Sequence, residues 1–126
     1  MGLKKKGFLV EVDTRLAIVK VKVWGFWTVE DGQALSFPDE TFDVVLCSSG
    51  LMFFPEPARG LSEFRRVLTP GGRAAVSVSA SPSRSYNGRI NVILARYVPR
   101  LAEVNGRYFA IGEAARLVSL LGDAGF

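Results

Sequence analysis

Polar and apolar residues alternate along the first part of the chain. Phe8, Val10 and Val12 precede a polar Asp13-Thr14-Arg15 corner, after which Val19, Val21 and Val23 alternate with Lys20 and Lys22. A period of two with β-branched residues predicts two strands with one wet face, joined as an antiparallel hairpin. The two lysines suit a strand edge protected against further pairing. The grammar changes near Trp27 to Glu30. Phe42 to Cys47 is a nearly continuous apolar run, as expected of a strand buried on both faces of a parallel sheet.

Pro55-Glu56-Pro57 can open a helix, since proline is tolerated at the first helical position and acids suit the positive helix start. Leu61, Phe64, Val67 and Leu68 then share one helical face, and Thr69-Pro70-Gly71-Gly72 ends it. A second strand is expected over Arg73 to Ser79, which makes strand, helix and strand one βαβ unit. Ser81 to Asn87 reads as loop. Ile90, Ile93, Leu94, Tyr97 and Leu101 predict another helix, bent or ended near Pro99. Glu113 to Leu121 predicts the last one, with Leu117, Leu120 and Leu121 inward and Gly122 as its stop. The expected division is residues 1–28 as a strand pair and 29–126 as an α/β unit.

The 126 residues, 48% of them hydrophobic, suit one globular domain with a modest core but are few for a complete doubly wound sheet. The net charge of +4 comes from scattered arginines and one run, Lys4 to Lys6, a pattern that suits a solvated surface better than nucleic acid. Glu11 and Asp13 cut short the apolar stretch that a secretory leader would need. No apolar run approaches the ~20 residues of a bilayer span. Cys47 is the single cysteine and histidine is absent, which excludes an internal disulfide, a Cys/His zinc site and a histidine-based triad. A cytoplasmic protein with no metal and no membrane partner is expected.

The segment DGQALSFPDETFDVVLCSSGLMFFPEP, followed by LSEFRRVLTPGGRAAVSVS, resembles the small class I S-adenosylmethionine-dependent methyltransferases of the ubiquinone and menaquinone biosynthesis type. The matching features are Asp31, Leu35 to Asp39, Thr41 to Asp43, Val44 to Cys47, Arg66 to Leu68, and Pro70 to Arg73. The tail from Tyr108 to Phe126 is similar to that family's penultimate helix and its "AGF" ending. The resemblance covers about residues 29 to 126 and implies a partial Rossmann-like, doubly wound α/β sheet with an N-terminal β-hairpin added.

In an open parallel sheet, ligands sit outside the carboxyl ends of the strands where the strand order reverses. Cys47, Ser48, Ser49 and Gly50 would lie on that rim, where small residues let a ligand approach the backbone. The resemblance assigns the exocyclic amine of an adenine to the carboxylate of Asp31, with Gly32 and Leu35 lining the adenine pocket. It sets Cys47 and Ser48 against the cofactor's methionine portion. Bland readings stand beside these: Asp31-Gly32 is also a plain turn pair, and Cys47 at the end of a buried strand also reads as a small core residue. Gly71-Gly72 is no phosphate cradle, because a strand follows where a helix start would be needed.

The resemblance also implies a glycine-rich turn and a ribose-binding acid upstream of Asp31. Neither is here: Gly7 and Gly25 are isolated, and the room for two βα units is missing. Three accounts are open: a fragment of a longer enzyme, a shortened relative, or a chain that pairs with a second copy. The expected function is methyl transfer from S-adenosylmethionine to a small-molecule acceptor, with no catalytic residue named. Cofactor binding by this chain alone is left open by the missing turn. The alternative is a non-catalytic Rossmann-like binding or oligomerisation module.

Overall fold

The computed structural model describes residues 7–13, 18–23 and 26–126, with side chains from residue 30 onward. Strands β1 (Gly7–Asp13) and β2 (Ile18–Val23) pair antiparallel, Val10 opposite Val21 and Val12 opposite Val19, as the alternation predicts. The Thr14-Arg15 corner and the Lys4 to Lys6 run lie outside the described residues. A third strand, β3 (Phe26–Val29), pairs antiparallel with β2; at four residues it is too short to announce itself by alternation. β2 is thus paired on both sides, and Lys20 and Lys22 do not sit on an edge strand as expected.

Strands β4 (Phe42–Ser48) and β5 (Leu68–Ser77) complete one sheet in the spatial order β3-β2-β1-β4-β5. β1 pairs parallel with β4, and β4 with β5, so β4 is the interior parallel strand that the apolar run implies. The order is that of a doubly wound sheet, which reverses between its first and fourth strands. Only β2 runs against the rest, because four residues or fewer join it to either neighbour in sequence, too few for a crossover. The carboxyl ends of β1, β3, β4 and β5 therefore share one edge.

Helix α1 (Pro57–Val67) connects β4 to β5, with proline in its first turn and Gly60, Leu61, Phe64 and Val67 buried. This face packs on Val45, Cys47 and Leu51 to form the core, which Leu120 of helix α4 (Ala114–Asp123) closes. Burial of the sheet is one-sided. Ala74, Val76 and Val78 pack against the core, whereas Leu46 is 43% exposed and Arg73, Ala75 and Ser77 face solvent. The expected burial of β4 on both faces is therefore corrected: on its second face Leu46 and Ser48 are exposed and Val44 is half-buried.

Four further boundaries differ from the sequence reading, the first being the loop expected over Ser81 to Asn87, which holds a 3-10 turn at Pro82–Arg84 and gives way to α-helix from Tyr86. β5 starts at Leu68, and Thr69 to Gly72 form an irregularity across which pairing jumps from Phe42 with Leu68 to Val44 with Arg73. The helix expected around Ile90 is two, α2 (Tyr86–Leu94) and α3 (Arg100–Tyr108), with Pro99 at the N-cap of the second. Helix α4 runs through Gly122 and stops at Gly125, whose φ of 87° is a left-handed conformation that side chains resist. There the N–H of Gly125 donates to the Gly122 carbonyl and that of Phe126 to Leu121, both at 3.0 Å, which is a Schellman cap.

Between β3 and β4 the chain must travel from the carboxyl edge back to the amino edge without strand partners. It runs beside α1, and the Arg66 guanidinium holds it there. Nε and NH2 of Arg66 donate to the Glu63 carboxylate at 2.8 Å each, and NH1 donates to the Phe37 carbonyl at 2.8 Å and to Asp39 at 2.7 Å. NH2 also donates to the Leu35 carbonyl at 3.0 Å, while the Leu35 N–H donates to Glu63 at 2.8 Å. The hydrogen bond from Arg66, with help from the Leu35 N–H, holds the Glu63 carboxyl below the usual carboxylate range against the opposing effect of burial. Arg66 is held charged more firmly by Glu63 and then Asp39.

Removing Arg66 leaves two carbonyls and a half-buried carboxylate without this partner, so Arg66→Ala should cost about 2 kcal/mol in urea melts. Glu63 has a lowered folded pKa, so its contribution is full above its unfolded value and is lost as pH falls through the folded one. Stability of the wild type should accordingly decline below about pH 4, and Glu63→Gln should flatten that decline; parallel slopes for the two proteins would refute the assignment.

Candidate functional site

The edge holding the carboxyl ends of β3 and β4 carries the residues singled out by sequence. Asp31 follows β3 and is exposed. Its Oδ1 accepts the Gln33 N–H at 2.9 Å and its carbonyl accepts the Ala34 N–H at 2.9 Å, so Asp31-Gly32 is a turn pair as well as a candidate ligand. Gln33 ties this turn to the start of α1, its Oε1 accepting the Glu56 N–H at 2.6 Å.

Gly32 is buried, and a Cβ there would collide with the Phe54 ring; a Cβ on Gly60 would meet the same ring. Phe54 thus occupies a slot cut by two glycines distant in sequence, edge-on to Phe64 with centroids 6.2 Å apart. Leu35 lies in the core at 6% exposure and presents its backbone to Glu63 and Arg66.

At the β4 exit, Cys47 is buried in the core. Burial pushes its thiol up to about 11, even though the backbone N–H groups of Gly50 and Leu51 favour the thiolate. At neutral pH it is an inert thiol that organises the turn. Ser48 is exposed, and Ser49 takes a φ of 54° while its N–H donates to the Ser77 carbonyl at 2.9 Å. Two strands, β2 and β1, separate the Asp31 side of the rim from the Cys47-Ser48 side, roughly 14 Å at ordinary strand spacing. The predicted residues therefore fall into two groups: Asp31 and Ser48 offer exposed polar atoms on either side of the point where strand order reverses, and Leu35 and Cys47 form packing behind them.

A cleft of about 620 Å³ opens beside the β4 exit, with Met52, Phe53, Phe54 and Pro57 on one wall and Tyr108 and Ile111 on the other. The Tyr108 ring meets Phe53 edge-on at 5.6 Å, and its hydroxyl accepts from Ser79 Oγ at 2.9 Å. The family resemblance points to Ser81 to Val104 for an acceptor pocket; of that span Val104 alone lines this cleft, and the walls at Met52 to Pro57 and Tyr108 to Ile111 went unread in the sequence. The aromatic pair Phe53-Phe54 just after a strand exit was the cleft's one local signal, whereas the opposite wall lies more than fifty residues on. Among the described residues no group of acids and cysteines could hold a metal ion, and no helix is long and apolar enough to cross a membrane.

The family model described as a methyltransferase domain matches residues 6–76. A demethylmenaquinone methyltransferase of Streptomyces griseus is 32% identical over 126 residues, covering 97% of this chain and 50% of that protein. A ubiquinone/menaquinone biosynthesis C-methyltransferase of Cronobacter sakazakii is 32% identical over 108 residues, 76% of this chain and 43% of that protein. The solved structure of a SAM-dependent methyltransferase, a possible histamine N-methyltransferase, from Thermotoga maritima superposes with a TM-score of 0.59 at 28% identity, covering 75% of this chain and 42% of that one. The chain spans about half the length of the curated relatives it matches.

The slot for Phe54 yields a direct test of the rim's construction. Gly32→Ala should overpack against the ring and lower stability by about 2 kcal/mol. In a Phe54→Leu background the same change should cost less than half as much, as a double-mutant cycle of thermal melts would show. Equal costs in both backgrounds would place the strain elsewhere.

Proposed function

This chain belongs to the methyltransferase domain family, and from that premise we propose that it supplies the adenosine-binding rim and acceptor cleft of an S-adenosylmethionine-dependent methyltransferase in a cytosolic setting. The observation that carries the reading is the opening of Asp31 and Ser48 on one edge, flanking the reversal of strand order between β1 and β4. Their chemistry fits the group. An ionised carboxylate has acceptor sites to spare after one backbone bond, enough for an exocyclic amine, and a serine hydroxyl can donate or accept.

In this reading Asp31 binds the adenine amine, the backbone at Gly32 lies along the base, and Ser48 faces the methionine portion. Leu35 and Cys47 hold the wall behind them. When bound, the cofactor supplies a methyl group on a sulfonium, and transfer by in-line displacement asks the protein mainly for alignment. The apolar cleft between Met52–Pro57 and Tyr108–Ile111 would seat a small acceptor and keep water from it. No residue of the rim is assigned as a base.

A second reading, a non-catalytic Rossmann-like binding or pairing module, is favoured by Asp31 being engaged in its own turn. Calorimetric titration with S-adenosylhomocysteine separates the two. Micromolar binding that weakens roughly tenfold in Asp31→Ala supports the site. No heat at millimolar ligand removes it and leaves the second reading.

A further inference from the structure

The helices α2 and α3 carry apolar surface that the fold does not use. Eight of the twelve large hydrophobic side chains exposed among the described residues fall between Tyr86 and Val104. In α2 the one buried residue is Gly88, packed against Pro82, and α3 has none. Tyr86, Ile90 and Ile93 follow the i, i+4, i+7 spacing of one helical face, with Leu94 beside them, and at 100° per residue this stripe points away from Gly88. Tyr97, in the turn that follows, is 81% exposed.

Charge is gathered on the same segment. Residues 84–107 contain Arg84, Arg89, Arg96, Arg100 and Arg107 against the single acid Glu103, a net +4 that equals the formal charge of the whole chain. Of these arginines only Arg107 forms an ion pair among the described residues, with Glu103. A monomer surface with a contiguous apolar stripe bordered by one sign of charge marks an interaction site.

We propose that the outward face of α2, with the α2–α3 turn, seats this protein peripherally on an anionic lipid surface. The exposed apolar side chains of α2 enter the headgroup boundary while the arginines, Arg89 on α2 and the others before and after it, bind lipid phosphates, so that apolar insertion and attraction to anionic lipid add. Charge complementarity selects this occupant. A two-fold contact with a second copy would set one +4 patch against another. Nucleic acid would use the arginines but gives Ile90, Ile93 and Leu94 nothing apolar to enter. The seat rests on surface residues alone and stands whether or not the rim binds a cofactor.

Sedimentation of the full chain with vesicles of phosphatidylcholine, with and without phosphatidylglycerol, tests the proposal. Binding should require the anionic lipid and weaken at least tenfold between about 0.1 and 0.5 M salt. The triple variant Arg89→Gln, Arg96→Gln, Arg100→Gln should lose roughly a hundredfold in affinity. Ile93→Ser with Tyr97→Ser, both exposed and so compatible with an unchanged circular dichroism spectrum, should lose binding at either salt. Equal binding to neutral vesicles, or indifference to both variants, overturns the proposal. So does retention on duplex DNA without vesicle binding, or a dimer in light scattering that the serine changes dissolve while vesicles stay unbound.

Discussion

Everything that makes the rim of this sheet a site depends on how the chain crosses from β3 to β4, and one guanidinium controls that crossing. The segment from Glu30 to Thr41 has few backbone partners of its own, so its carbonyls need donors from elsewhere. Arg66 supplies them to Leu35 and Phe37 while Glu63 accepts from Leu35, and the Arg66 carbonyl accepts the Glu40 N–H at 3.0 Å. The planar five-donor fork does what a lysine could not, because two carbonyls and two carboxylates are met at fixed angles. With the segment fixed alongside α1, the Asp31 turn is delivered to the start of that helix and β4 begins where it can pair between β1 and β5.

The sheet that results keeps the strand order of a doubly wound fold while discarding the elements that usually produce it on one side. Because β1 to β3 follow each other as a meander with connections too short for a crossover, β2 is reversed. The reversal of order between β1 and β4 survives, and with it the geometric reason for a ligand to bind at the carboxyl edge. The second face of β4 and β5 stays open, which is why Leu46 belongs to the surface although its neighbours Val45 and Cys47 do not.

Local pattern and nearest-neighbour chemistry were legible before any coordinates. The antiparallel pairing of Phe8 to Val23, the interior parallel place of β4 though not its burial on both faces, the α1 face of Leu61, Phe64 and Val67, and the inward face of α4 all follow from the periodicities. What could not be read was non-local. Gly32 and Gly60 look like a turn residue and a weak helix former until Phe54 is found between them. Gly122 and Gly125 are equally good stops in sequence, and only the cap bonds decide for the second. Ile90, Ile93 and Leu94 announce a helix correctly, but periodicity marks a face without saying what lies against it. For the candidate site the same holds: the positions of Asp31 and Cys47 on one edge follow from strand direction, whereas the far wall of the cleft, Tyr108 to Ile111, depends on a return of the chain that no spacing encodes.

The place of β1 in the sheet has a kinetic consequence. Pairings within the β1–β2–β3 meander join residues close along the chain, but Phe8 meets Val45 only after closure of a loop of about 37 residues. Local meander and local βαβ unit can each assemble quickly, and the long-range parallel seam between them comes last. The reversal point where a ligand would sit is thus also the final joint to close, so occupancy of that crevice would trap the chain by mass action in its completed state.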